Sequence, residues 1–533
     1  MALEMLGIVK RKVWRPRLKR TLTKSQRKRI LPCIGLVKSK IKEGKEKLKS
    51  RLVGDGSKQD KSNMDVYKEV SSPTGMVSSL MALITNSAVK GWKNVTFDIG
   101  QAYLNAELTG EKVFVKLDRV MARILSEVDV DSEFTHLYEE LLQEEDEELQ
   151  QGTIIVELDK ALYGCIQSAR AWCNTFSSAL IKLGFTVNKR DPCVFNLFDK
   201  SDKIVASIFI HVDDGYLSCE NDKIFEEFKT EITKIFTHGV SWTEGDIHEY
   251  LGMVLDFSES GKCHLTMKSY IERIVKEWNI DIKKDYPHTR ELFNVDDKKE
   301  KLGKQDAGLF HRRVGQLLYL ATHVRPDILV SVIFLTSRVQ NPTVEDRKKL
   351  IQCLGYLNGT SHLGLCLKAD KNGLMKLSCF ADASFNVHPD AKSQGGIAIF
   401  LGGAVTLYKS YKIKMVNKSV AESELSVLSD ATSLLVHERE FAIEQQMITA
   451  YDEVIIHEDN TAAIHLVKNG RSTSDRTKHI ALRHFFIKQY LDDGTFSLQR
   501  CESENMIADI LTKPLQGEQF YKLRAVLLGH AEL

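Results

Sequence analysis

At 533 residues the chain is longer than one hydrophobic core supports, so three or four domains are expected. Hydrophobic residues at 43% and charged residues at 27%, with few Pro and Gly, exclude a fibrous or disordered chain. No stretch approaches the ~20 apolar residues of a membrane-spanning helix, and a net charge of +2 conceals nineteen Lys/Arg against five acids within residues 1–60.

That basic arm is a candidate phosphate-binding surface, although a solvated helix or a localisation signal has the same composition. The N-terminus, MALEMLGIVKRKVWR, places its apolar run before its positive charges, the reverse of a signal peptide. Ten scattered cysteines without a C-x-x-C pair read as free thiols of a reducing compartment, so a soluble intracellular protein is expected.

In chain order, residues 94–104 (NVTFDIGQAYL) read as a strand that ends near Asp98 and turns into a helix. The acidic run EELLQEEDEELQQ (139–151) reads as a solvated helical insertion, IIVEL as a strand, and SARAWCNTFSSALIKLGF as a helix. Residues 203–219 form a hairpin. From about 265 to 370 the apolar spacing is mostly helical, and from 373 onward come three strands, a long helix over about 418–447, the strand EVIIHEDN and further helices. The expected class is α+β multi-domain.

The hairpin carries Asp213 and Asp214 between two apolar runs. Adjacent strand residues face opposite sides, so both serve one ligand only at a tip, which Gly215 would permit. Two carboxylates there repel each other and lose solvation, which a divalent cation would offset. Asp98 also ends an apolar strand and is the natural third carboxylate. Strand-end carboxylates of this kind suit two-metal phosphoryl transfer. Asp-Asp alone is weak, since it recurs in polar turns at 296–297 and 492–493; the apolar flanks distinguish 213–214.

The segments FDIGQAYLNAEL, ALYGCIQSARAWCNTF, IFIHVDDG, YIERIVKEW, VGQLLYLATHVRPDI and ADILTKPL, with LKSRLVGDGSKQD and SSPTG before them, resemble the reverse transcriptase and ribonuclease H portion of a Ty1/copia-type retrotransposon Pol polyprotein. The resemblance implies a right-hand polymerase (fingers, palm, thumb), a helical connection, and an RNase H-like α/β domain. The implied divisions are a basic arm leading into the fingers (1–48), fingers and palm (49–260), thumb and connection (261–372) and the RNase H-like domain (373–533). It makes Asp98, Asp213 and Asp214 the catalytic carboxylates of the palm, the first two as metal ligands. Tyr103 would pack under the incoming sugar, Gln167 would line the nucleotide pocket, and Lys49 and Arg51 would hold the triphosphate. A core aromatic is the bland alternative for Tyr103. His211 departs from the Tyr or Phe usual at its place.

The same resemblance makes Asp382, Asp459 and Asp509 members of a ribonuclease H site, with a fourth carboxylate from the long helix. Glu422 and Glu424 are the candidates there, about 200° apart on the helix. Glu424 falls near the centre of the sector formed by Val420, Val427, Leu428, Ala431, Leu434 and Leu435, where a carboxylate needs compensation, so it is chosen and Glu422 is read as a solvated charge. In TKHIALRHFF, Ala481 replaces an acid common in the family, and His479 and His484 read as structural or substrate-contacting.

The implied activities are RNA-directed DNA polymerisation and cleavage of the RNA strand of a hybrid, with two Mg²⁺ ions per site and Mn²⁺ as a substitute. The implied partners are an RNA template, a primer or DNA strand, an RNA/DNA hybrid and dNTPs, without a membrane; oligomeric state is left open. The expected location is cytoplasmic, in the setting of a virus-like particle, with nuclear entry. Two other readings are a truncated or host-retained transposon fragment that binds nucleic acid without catalysis, and a nuclease with only the C-terminal site working.

Overall fold

The computed structural model describes residues 1–42, 45–60, 70–129, 133–143, 152–296, 298–469 and 478–533, leaving aside the side chains of 40–42, 45–47, 49, 139, 469 and 478–482. The acidic run at 139–151 therefore lies mostly outside the described residues; its beginning belongs to the helix Thr135–Gln143.

The basic N-terminus folds. Helix Ala2–Lys10 buries Met5 and Ile8, and the strands Trp14–Arg17, Leu31–Lys42 and Lys45–Gly54 join Phe114–Leu117 and Ile154–Leu158 in a five-stranded sheet. Its core, which includes Leu52, Val115 and Val156, is separate from the others.

A second, wholly antiparallel sheet orders its strands Val240–Thr243, Lys93–Ile99, Asp214–Cys219, Ile204–His211, Val194–Phe198 and Thr186–Val187. The period-2 alternation of strands buries both faces. Val95, Phe97 and Leu217 pack against Trp172, Phe176 and Phe228 on one side. Phe209 and Tyr216 pack with Leu80, Met81 and Ile84 of the helix Val77–Lys90 on the other.

Four short strands, Ile247–Tyr250, Met253–Asp256, Lys262–Thr266 and Leu365–Lys368, form a third sheet that brackets the helical stretch, including Lys268–Glu277, Lys304–His323 and Val344–Gly359. The fourth sheet runs Ala404–Lys412, Gln394–Leu401, Leu377–Ser384, Ile455–Glu458, Ser497–Arg500. Its first three strands are antiparallel, and the last two run parallel to Leu377–Ser384. The helix Val420–Glu444 lies across it, so the α+β multi-domain expectation holds. Ser497–Arg500 was not expected as a strand, because SLQR carries one buried apolar residue, Leu498.

Candidate active sites

The hairpin brings the first three carboxylates to one place. Asp214 sits opposite Asp98 in the sheet register, and the Ile99 amide donates to the Asp213 carbonyl at 3.3 Å. Asp98, Asp213 and Asp214 line one cleft of about 730 Å³ together with Arg51, Tyr163, Gln101 and the N-terminal residues Met1, Leu3 and Glu4.

Gly215 is not the tip. The turn is made by Val212 and Asp213, with Val212 at φ 62°, a left-handed conformation unusual for a β-branched residue. The Trp172 indole donates to the Val212 carbonyl at 2.5 Å, and the buried Tyr250 hydroxyl donates to the Asp214 and Phe209 carbonyls, each at 3.3 Å. Gly215 lies in the strand, where a Cβ would meet the Phe97 ring at 2.2 Å. Glycine is needed there for close approach, not for turning.

Of the residues expected to hold a nucleotide, Arg51 is at the cleft, its guanidinium 4.9 Å from the Tyr163 ring centroid. Tyr103 packs at a tilt against Tyr163, with ring centroids 4.9 Å apart, and lines a neighbouring, more apolar cavity of about 300 Å³ with Trp172 and Val212. Burial first, then the Asp213 charge, raises its hydroxyl pKa. Gln167 is not among the residues lining the cleft; its side-chain oxygen accepts from Gln59 at 2.7 Å. Lys49 is in strand Lys45–Gly54, but its side chain lies outside the described residues. His211 is half-buried opposite Asp214.

The second constellation is denser. Single oxygens of Asp382, Asp459 and Asp509 lie within 4.8 Å of one another, and so do those of Glu424, Glu458 and Asp459. Asp382 projects from the central strand at 1% exposure. The partner strand has Gly396 opposite it, where a Cβ would meet the Ala508 carbonyl at 2.9 Å, so glycine lets the turn Asp509–Thr512 reach the site. The Thr512 hydroxyl donates to Asp382, and Lys513 donates to Asp382 at 3.1 Å and to Asp509 at 2.6 Å. Burial and the neighbouring Asp382 push the Asp509 carboxyl up to about 7. Burial and then mutual repulsion with the other acids push the Glu424 and Glu458 carboxyls up as well.

The helix brings Glu424, not Glu422, into this cluster. Glu422 is nevertheless no solvated charge: it is 6% exposed, and its carboxylate accepts from the Lys418 amide at 2.7 Å while Ser419 caps the helix by accepting from the Glu422 amide at 3.2 Å. Glu458 and Lys513 were not anticipated. The pattern I-I-H-E-D, whose alternation puts Glu458 on the buried face of its strand with Ile456, could have revealed the former. His484 is buried with its ring nitrogen against the Val467 carbonyl, a structural role, while the His479 and Ala481 side chains lie outside the described residues.

A metal fits both places by donor chemistry, since hard divalent cations take carboxylate oxygens. The C-terminal cluster adds two buried oxygens, Glu424 Oε2 and Glu458 Oε2, that have no hydrogen-bond partner among the described residues.

Residues 120–289 match the family model for reverse transcriptase (RNA-dependent DNA polymerase), a span that contains the Asp213–Asp214 hairpin. Over 95% of its length the chain is 25% identical to the Retrovirus-related Pol polyprotein from transposon TNT 1-94 of Nicotiana tabacum, of which it covers 36%. The chain is thus similar to part of a retrotransposon Pol polyprotein. The Pol polyprotein from transposon RE1 of Arabidopsis thaliana is 26% identical over 89% of this Pol-like chain, which covers 30% of it. The chain thus spans about a third of the length of these relatives. A foamy viral protease-reverse transcriptase solved with double-stranded DNA aligns with 93% of the chain and 68% of its own, at 12% identity and a TM-score of 0.49.

Proposed function

We propose that this Pol-like chain is an RNA-directed DNA polymerase that also cleaves the RNA strand of RNA/DNA hybrids, each site working with two divalent ions, Mg²⁺ or Mn²⁺ in its place. The observation that carries the first activity is the placement of Asp98 opposite Asp214 and beside the Asp213 turn in one cleft, with the Asp213–Asp214 hairpin inside the residues that match the reverse transcriptase family. The convergence of Asp382, Glu424, Asp459 and Asp509 supports the second.

When bound, the ions supply charge neutralisation and activation of the attacking oxygen. The chain's own contribution is position. Asp98 is carried by the strand Lys93–Ile99 and Asp213 by the turn beside it, and Tyr250 and Trp172 fix the backbone that carries Asp213 and Asp214. Arg51 supplies a cation at the cleft wall suited to a triphosphate, and Tyr103 would present a flat ring below the sugar. In the C-terminal site Lys513 and Thr512 orient Asp382 and Asp509. Substrates would be an RNA template, a primer, dNTPs and the hybrid, gripped largely through phosphates and duplex shape.

The test is primer extension on an RNA template with Mg²⁺, alongside hybrid cleavage. Asp213→Asn should abolish extension and leave cleavage, and Asp382→Asn should do the reverse. Extension by the intact chain that persists in Asp213→Asn would refute the polymerase assignment, and absence of both activities in the intact chain would leave nucleic-acid binding as its role.

A further inference from the structure

The relationship implies four carboxylates for the C-terminal site, yet the structure holds a fifth, Glu458, that this set does not use. Glu458 is the last residue of the strand Ile455–Glu458, is 0% exposed, and faces Glu424, itself 3% exposed, on the first turns of the long helix. Its Oε1 accepts from the Asn460 amide at 3.0 Å, which fixes the carboxylate plane. Among the described residues its Oε2 has no hydrogen-bond partner, and neither has Glu424 Oε2. Two buried carboxyl groups facing each other with unsatisfied oxygens are expensive unless something positive sits between them. Lys513 is engaged by Asp382 and Asp509.

We propose that Glu458 is a cation ligand, which with Glu424 and Asp459 forms a second divalent-ion position beside the one made by Asp382, Asp459 and Asp509. Asp459 belongs to both groups of three, so it would be shared between the two positions. All donors are carboxylate oxygens, which selects Mg²⁺ or Mn²⁺ over softer metals. The inference rests on the ribonuclease H reading of this site and extends it by assigning one position to a residue outside the expected four.

The test counts Mn²⁺ bound to the full chain by the electron paramagnetic resonance signal of the free ion, in an Asp98→Asn/Asp213→Asn background that removes ligands from the N-terminal cleft. Two ions per chain are expected, and Glu458→Gln should retain one while the other binds weaker by about 10-fold or more. The same count and affinity in Glu458→Gln and its parent would overturn the proposal while leaving the ribonuclease H reading intact. A parent chain that binds no Mn²⁺ would overturn both. Should Glu458→Gln not fold, Glu458→Asp, which keeps the charge and retracts the oxygens by one methylene, is measured in the same way, with unchanged binding again refuting the role.

Discussion

Gly215 shows how a single position can be right in its importance and wrong in its reason. Sequence reasoning has it permit a hairpin tip at Asp213 and Asp214, because glycine is the usual way to turn a chain. The turn instead falls on Val212, and Gly215 is flat strand pressed against Phe97. A valine with positive φ leaves no mark in the sequence, since its cost is borne by the surrounding bonds from Trp172 and Tyr250. Gly215→Ala should therefore act through packing: the added methyl must displace a ring in a filled core, a loss of about 1–3 kcal/mol. Chemical denaturation of the full chain would show it, and a variant as stable as the parent would mean that Phe97 swings aside freely. The choice between Glu422 and Glu424 was legible, because helical geometry at ~100° per residue separates them. Glu422's burial was not foreseen, although the Ser419-x-x-Glu422 spacing is itself a helix-start signature.

The helix Val420–Glu444 works at both ends. Its first turns deliver Glu424 to the carboxylate cluster, and its last turns dock on the loop between the strands Thr186–Val187 and Val194–Phe198 of the second sheet, where Glu444 accepts from the Lys189 amide at 2.8 Å and Glu440 pairs with Arg190 at 2.6 Å. Between them Glu438 is 4% exposed, beside Ser78, with the Asp191 and Lys409 charges also acting on it. Burial first pushes its carboxyl up to about 7. A carboxyl raised in the folded state binds its proton more tightly there than in the unfolded chain. Its contribution is thus fully present below the unfolded value of 4.5 and is lost as pH rises through about 7. Glu438→Gln should match the parent near pH 4 and exceed it at pH 8 by on the order of 3 kcal/mol, measured by denaturant unfolding at the two pH values. A difference that does not change with pH would show that Glu438 ionises normally. At this scale long apolar elements were legible, whereas the strands Val240–Thr243 and Ile247–Tyr250 were not, because alternate residues face solvent and each is four residues long.

At the scale of the whole molecule, one core crosses the boundary that sequence divides. Leu80, Met81 and Ile84 of the helix Val77–Lys90 belong to the same buried cluster as Leu317, Leu354, Ile399, Val405, Leu435 and Phe441. Composition cannot reveal this, since each segment reads as a sound amphipathic element whatever it packs against. Hydrogen bonds reinforce the junction: Gln446 accepts from the Ile204 amide at 2.9 Å and donates to the Asp202 carbonyl at 2.6 Å. Exposed ion pairs such as Arg190–Glu440 add little by comparison. The two carboxylate sites are therefore held on a shared core, while the sheet containing Leu52 and Val115 has its own. Leu435→Ala, a fully buried change in the helix Val420–Glu444, should remove about 2–5 kcal/mol. Because the cluster is shared, the loss should appear in the helix Val77–Lys90 too, as faster amide hydrogen exchange, and not only in the sheet beneath Leu435. Exchange in 77–90 that stays at the parent's rate while the C-terminal sheet opens would mean that the two halves fold independently despite their contact, and that a polymerase site could keep its geometry after the C-terminal site is lost.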